Sequence, residues 1–167
     1  MQEFLELSSE LAEAAGVIAR QYYRQSFDVE TKSDSSPVTI ADKTIEAKLR
    51  EILEAKRPDD GIFGEEYDRK PSRSGLTWVI DPIDGTKSFM VGRPTFGTLI
   101  GLWEGDTPLL GIIDQPISNE RWVGGTGLPA TLNGTPIKTR ACPDISLAVS
   151  GSTTPAMYDH TGPAYQP

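Results

Sequence analysis

Trp78-Val79-Ile80-Asp81-Pro82-Ile83-Asp84-Gly85-Thr86 ends a short apolar run in two carboxylates three positions apart, with a proline between them and Gly-Thr directly behind. The run reads as a buried strand, and Pro82 bars that strand from simply continuing. Gly85 and Thr86 open a segment able to turn into a helix, Lys87-Ser88-Phe89-Met90. Such a turn directs both Asp side chains off one strand end, beside the N–H groups of a helix start. Carboxylates collect hard cations and helix N-termini collect phosphate, so the pair suggests metal-dependent phosphate chemistry. A D-x-x-D at a turn is also ordinary Asx-turn and capping chemistry. A second acidic stretch, Gly61-Ile62-Phe63-Gly64-Glu65-Glu66, favours the metal. There too an apolar run ends in adjacent carboxylates, and acids converging from two strand ends repel one another unless cations lie between them.

Outward from this centre, the spacing predicts a helix over 3–24, with Phe4, Leu7, Leu11, Ala14, Ala15, Ile18 and Tyr22 on its packing face. Asp34 to Pro37 reads as a loop. A second helix carries Ile45, Leu49, Ile52 and Leu53 on one face and closes before Pro58, and Thr39-Ile40-Ala41-Asp42 at its start has capping-box spacing. Apolar runs at 97–103 and 109–113, split by Glu104-Gly105-Asp106-Thr107, predict an antiparallel hairpin. Arg121-Trp122-Val123 and Ala130-Thr131-Leu132 add shorter strands, with Asn133-Gly134 as a tight turn, and Ser146 to Ser150 reads as one more strand. Helices first and strands second give an α+β class: two N-terminal helices packed on an antiparallel sheet.

The 167 residues suffice for a compact core, and 37% hydrophobic residues is ordinary. A net charge of −8 argues against nucleic acid or an anionic membrane as partner. An acidic protein also repels a phosphate ester, and bound cations would reverse the local sign. A single cysteine, Cys142, excludes an internal disulfide and suits a reducing compartment; a single histidine, His160, leaves little for a His-based triad or a zinc site. Met1 begins an amphipathic pattern rather than a signal peptide, and no apolar run approaches a membrane span. A cytoplasmic protein is expected.

GEE at 64–66 followed by WVIDPIDGT at 78–86 resembles the signature of the inositol monophosphatase superfamily, magnesium-dependent phosphomonoesterases. The resemblance continues through Gly92-Arg93-Pro94, Phe96-Gly97-Thr98 and Leu132-Asn133-Gly134, and IDQPI and ERWVG within 113–124 are most similar to the histidinol-phosphate phosphatase branch. It implies the first half of a layered α/β/α/β/α fold. Residues 1–145 would be a metal-binding phosphatase domain and 146–167 the start of a truncated second α/β domain, whose remainder would expose an apolar face by its absence. It implies two or three Mg²⁺ ions held by Glu65, Asp81, Asp84 and the Ile83 carbonyl, with Glu66 orienting a ligand or water. Asp42 and Thr86 would activate the attacking water, and Gly85 with the N–H groups of Gly85 and Thr86 would cradle the phosphate.

The implied reaction is hydrolysis of a small phosphate ester, L-histidinol phosphate first, with inositol monophosphates or nucleotide 3′-phosphates as alternatives, and the family habit is a homodimer. Asp42 is equally a helix-capping acid, Thr86 a helix-start hydroxyl and Lys32 a surface charge, against a family lysine near an extra metal. Lys87 and Arg93 are further candidates for substrate contact. A haloacid-dehalogenase-like D-x-D-x-T site fits poorly, since its acids stand two residues apart and here the gap is three. A half-length domain that binds metal without turnover is the competing non-enzymatic expectation.

Overall fold

The computed structural model describes residues 1–25, 29–31 and 37–149. Helix α1, Gln2–Tyr22, buries Leu7, Leu11, Ala15 and Ala19, the stripe that its 3.6-residue period places on one side. A small antiparallel ribbon, β1 (Val29–Thr31) with β2 (Pro37–Thr39), leads into α2, Ile40–Lys56. The capping box read from the sequence starts α2: the Thr39 hydroxyl accepts from the N–H of Ala41 (3.2 Å) and Asp42 (3.4 Å), and Asp42 Oδ2 accepts from the Thr39 N–H at 2.8 Å. Ile45, Leu49 and Leu53 of α2 are fully buried.

The rest of the body is a seven-stranded sheet: β3 (Gly61–Phe63), β4 (Leu76–Asp84), β5 (Gly97–Glu104), β6 (Thr107–Gln115), β7 (Glu120–Gly125), β8 (Leu128–Leu132) and β9 (Thr135–Pro136), hydrogen-bonded in chain order. A short helix, α3 (Thr86–Met90), interrupts the path from β4 to β5. The expected hairpin is β5–β6, turning at Gly105-Asp106. All pairings are antiparallel except that of the edge strand β3, which runs parallel to β4.

Trp78 and Ile80 of β4, Ile100 and Leu102 of β5, and Leu110 and Ile112 of β6 form one core with the two helices, as the period-2 alternation demands. Burying each such aliphatic side chain contributes about 1.5–3 kcal/mol. The opposite face carries Phe63 and Ile113, which are 52% and 50% exposed. The α+β class expected from the sequence, two helices on an antiparallel sheet, is the one observed, with the β3–β4 pair as a parallel exception.

One buried acid fastens the layers. Asp60, just before β3, accepts from Trp78 Nε1 (3.0 Å), the Ser74 hydroxyl (2.7 Å) and Arg57 Nε (2.9 Å). Burial by itself would raise its pKa, but the bonds to Arg57, Ser74 and Trp78 outweigh that and hold its carboxyl below the ordinary value.

Two local expectations need correction. Strand β4 does not stop at Pro82 but reaches Asp84 through an irregularity: Asp81 pairs with Leu99 and Asp84 with Gly97, so β4 spends one more residue than β5 over that interval. A bulge accommodates the residue that cannot donate to the ladder. The strand expected from Ser146 is instead a 3-10 turn, Ile145–Leu147, with Ser150 outside the described residues. Asp144 caps it by accepting the Ser146 N–H at 2.8 Å, a local bond that competes with strand pairing. That turn belongs to a second unit, Lys138–Pro167, separate from the compact body Met1–Ile137. No helix among the described residues is long and apolar enough to cross a membrane.

Candidate active site

The parallel edge pair explains how two distant acidic stretches meet. Phe63 is in register with Val79, so two residues further along each chain Glu65 arrives beside Asp81, at the carboxyl ends of β3 and β4. The carboxyl ends of neighbouring parallel strands are a recurrent ligand position in α/β sheets. In register, Asp81 shares the sheet face of Val79 and Phe63, away from the helices.

Asp81 is electrostatically strained. Its Oδ1 is buried and is the side-chain atom of that kind, among the described residues, without a hydrogen-bond partner. Burial first, then the charge of Glu65, a hydrogen bond to Glu65 and the charge of Asp84 push its pKa up to about 7, against one opposing N–H bond from Ile83. The Glu65 carboxyl lies against that of Asp81. Among the described residues no three His, Cys, Asp or Glu side chains already converge into a metal cage. The acids lie close enough to repel without already forming a cage of three. An oxygen-donor set of this kind, with an orphaned buried carboxylate oxygen, fits a hard divalent cation.

Around this centre the bulge exposes Asp84, buries Ile83 and leads into Gly85. Gly85 has φ +90°, and a Cβ there would stand 2.9 Å from the Thr95 carbonyl oxygen, so the turn requires glycine. The Thr86 hydroxyl donates to the Ile83 carbonyl at 3.1 Å. Helix α3 is anchored from behind by Phe89, edge-on to Phe96 at 4.9 Å, with Tyr23 against both rings and the Tyr23 hydroxyl donating to Gly92 O at 2.7 Å. The same helix lies beside β2, whose last residue caps α2, so Thr86 and Asp42 come to one end of the body. Asp42 is buried, and its Oδ2 is engaged by both the N–H and the hydroxyl of Thr39.

Glu66 is half-buried on the same turn as Glu65. Lys87 and Arg93 are exposed near α3, and Cys142 is exposed in the second unit. Lys32 and His160 lie outside the described residues. Sequence reasoning missed Glu46. This acid is fully buried in α2 and accepts from the N–H groups of Glu65 (2.9 Å) and Glu66 (2.7 Å). Its signal was present: Glu46, Leu49 and Leu53 share a helical stripe with Asp42, so a lone acid stands where a hydrophobe is expected.

A helix-backed sheet thus brings clustered acids to the carboxyl ends of one parallel strand pair, with a glycine turn beside them. The sequence profile of the inositol monophosphatase family matches residues 1–163, and the chain belongs to that family. It is 44% identical over 160 residues to the chloroplastic bifunctional phosphatase IMPL2 of Arabidopsis thaliana, covering 95% of this chain and 46% of that protein. It is 43% identical over 145 residues to a histidinol-phosphatase of Chlorobaculum parvum, covering 86% and 56%. Among solved structures, an inositol monophosphatase from Zymomonas mobilis superposes with a TM-score of 0.72 at 48% identity, over 85% of this chain and 55% of that one. The chain spans about half the length of the curated relatives it matches.

Proposed function

We propose that this chain carries the metal-binding half of a Mg²⁺-dependent phosphomonoesterase acting on a small phosphate ester, with L-histidinol phosphate as first substrate. The observation that carries the reading is the orphaned, buried Asp81 oxygen between Glu65 and Asp84 in a chain of this family. Glu65, Asp81, Asp84 and the Ile83 carbonyl would hold the cations, two or three Mg²⁺ by family likeness. When bound, Mg²⁺ supplies Lewis acidity toward phosphoryl oxygens and lowers the pKa of water. Asp42 and Thr86 orient the attacking water, and the Asp42 carboxylate receives its proton. Gly85 lets the ester approach the backbone, where the N–H groups of Gly85 and Thr86 donate to the phosphate oxygens. Glu66 orients a ligand or water beside Glu65.

The likeness to a histidinol-phosphatase at 43% identity supports the substrate. An inositol monophosphate is the second reading, favoured by the 48% identity to a protein named for that activity. We assign the chemistry to residues 1–145 and regard 146–167 as the start of a further domain.

The test is phosphate release from histidinol phosphate and from inositol 1-phosphate, with and without Mg²⁺, by the parent chain and by Asp84→Asn. Mg²⁺-dependent release that the variant loses by a factor of at least about 100 supports the reading, and the preferred ester decides the branch. Release that ignores Mg²⁺, or that survives Asp84→Asn, sinks it. Cation binding without release of either phosphate identifies a metal-binding half whose hydrolysis needs a further segment.

A further inference from the structure

Three consecutive backbone N–H groups, those of Glu65, Glu66 and Tyr67, point at one carboxylate from another element. Glu46 Oε2 accepts from Glu65 at 2.9 Å and Glu66 at 2.7 Å, and Oε1 accepts from Tyr67 at 3.3 Å and from Arg50 Nε at 2.8 Å. Arg50 Nη2 then donates to the Tyr67 carbonyl at 3.1 Å, and the Tyr67 hydroxyl donates to the Lys43 carbonyl at 3.3 Å. Lys43, Glu46 and Arg50 are spaced three and four apart, one face of α2, so a single helical surface grips the whole turn.

Gly64 makes the grip close. A Cβ at position 64 would stand 1.9 Å from Glu46 Oε1 and 2.3 Å from its Cδ, an overlap no side chain tolerates. The glycine of the GEE stretch is therefore explained by a carboxylate in α2 rather than by its own backbone angles. Convergent N–H groups form a concavity for an anion, and here the anion is built in.

We propose that Glu46 is a positioning residue for the cation site: it presets the Gly64–Tyr67 turn so that Glu65 meets Asp81 before any cation arrives. Asp42, proposed to orient water, sits one helical turn before Glu46, so α2 carries one functional acid and aims another. The inference rests on the metal-site reading. Residues that hold ligands from behind change metal affinity by about 10–100-fold when replaced.

The test titrates Mn²⁺ into the purified full chain by calorimetry, for the parent, Glu46→Gln, Gly64→Ala and the control Glu51→Gln, whose side chain pairs with Lys48 on the exposed face of α2. Affinity is expressed per folded molecule, with the fold checked by amide exchange of Ile45, Leu49 and Leu53. The expected result is at least about tenfold weaker Mn²⁺ binding for Glu46→Gln and Gly64→Ala, with Glu51→Gln unchanged.

Amide exchange of Glu65, Glu66 and Tyr67 in the metal-free parent keeps the proposal open to refutation even where both variants fail to fold. Protection before Mn²⁺ is added supports it, and protection that appears only with Mn²⁺ overturns it. Unchanged Mn²⁺ affinity in a folded Glu46→Gln variant overturns it equally. No Mn²⁺ binding by the parent itself overturns the metal-site reading and the role of Glu46 together, a result visible before any substitution.

Discussion

Asp81→Asn should stabilise the metal-free protein while removing the proposed cation site. In the folded chain the Asp81 carboxyl titrates at about 7 rather than 3.8, first because it is buried and then because Glu65 and Asp84 repel its charge. A raised folded-state pKa contributes stability that is complete below about 3.8 and is lost as pH climbs through about 7. At about 1.4 kcal/mol per unit, the full interval corresponds to about 4 kcal/mol, and the partial solvent access of this side chain reduces that to roughly 2–4 kcal/mol. Asparagine keeps the shape and carries no charge to ionise. The variant should therefore exceed the parent in stability by a margin that grows by roughly 1–3 kcal/mol between about pH 5 and pH 7.5 and then levels off.

Urea denaturation in EDTA, followed by tryptophan fluorescence at several pH values, measures the margin directly. Adding Mn²⁺ or Mg²⁺ at pH 7.5 should restore stability to the parent by mass action and leave the variant unmoved. A variant less stable than the parent at pH 7.5, or a margin that does not change with pH, would refute the account of Asp81 as a strained carboxylate waiting for a cation.

The remaining expectations concern the frame. Trp78→Phe keeps an aromatic ring in the core but removes the N–H that bonds Asp60 at 3.0 Å, and it should cost about 1–3 kcal/mol in a urea titration. Because the Asp60 pKa is depressed, its contribution is complete above 3.8 and is lost as pH falls through the lower folded value, so Asp60→Asn should flatten the acid limb of the stability curve between those two values. Gly85→Ala meets both φ +90° and the Thr95 carbonyl at 2.9 Å; a loss of about 1–3 kcal/mol in thermal unfolding, together with weaker Mn²⁺ binding, is expected.

What was legible in the chain is what local physics decides. The capping box at Thr39 and Asp42, the stripes of α1 and α2, the β5–β6 hairpin and the acid pair about Pro82 all depend on residues within a few positions of one another. Periodicity and turn chemistry report such relations without reference to the rest of the molecule. Even the misreadings are local: a bulge carries β4 past Pro82, and an Asp144 cap turns the chain where alternation suggested a strand.

The tertiary structure alone decided the partners. Nothing in the order of residues says that β3 pairs parallel with β4, yet that register sets Glu65 against Asp81 and creates the strain. The partner of Trp78 is Asp60, eighteen residues away, and that of the Glu65 N–H is Glu46, nineteen away. A buried acid reads from sequence as a solvated one, because its cost or benefit depends on which donors the fold brings to it. The sequence therefore determined that acids, glycine and helix start belong to one kind of chemistry. Only packing determined which acid is strained by its burial and its neighbours, and which one is already satisfied by the backbone it holds.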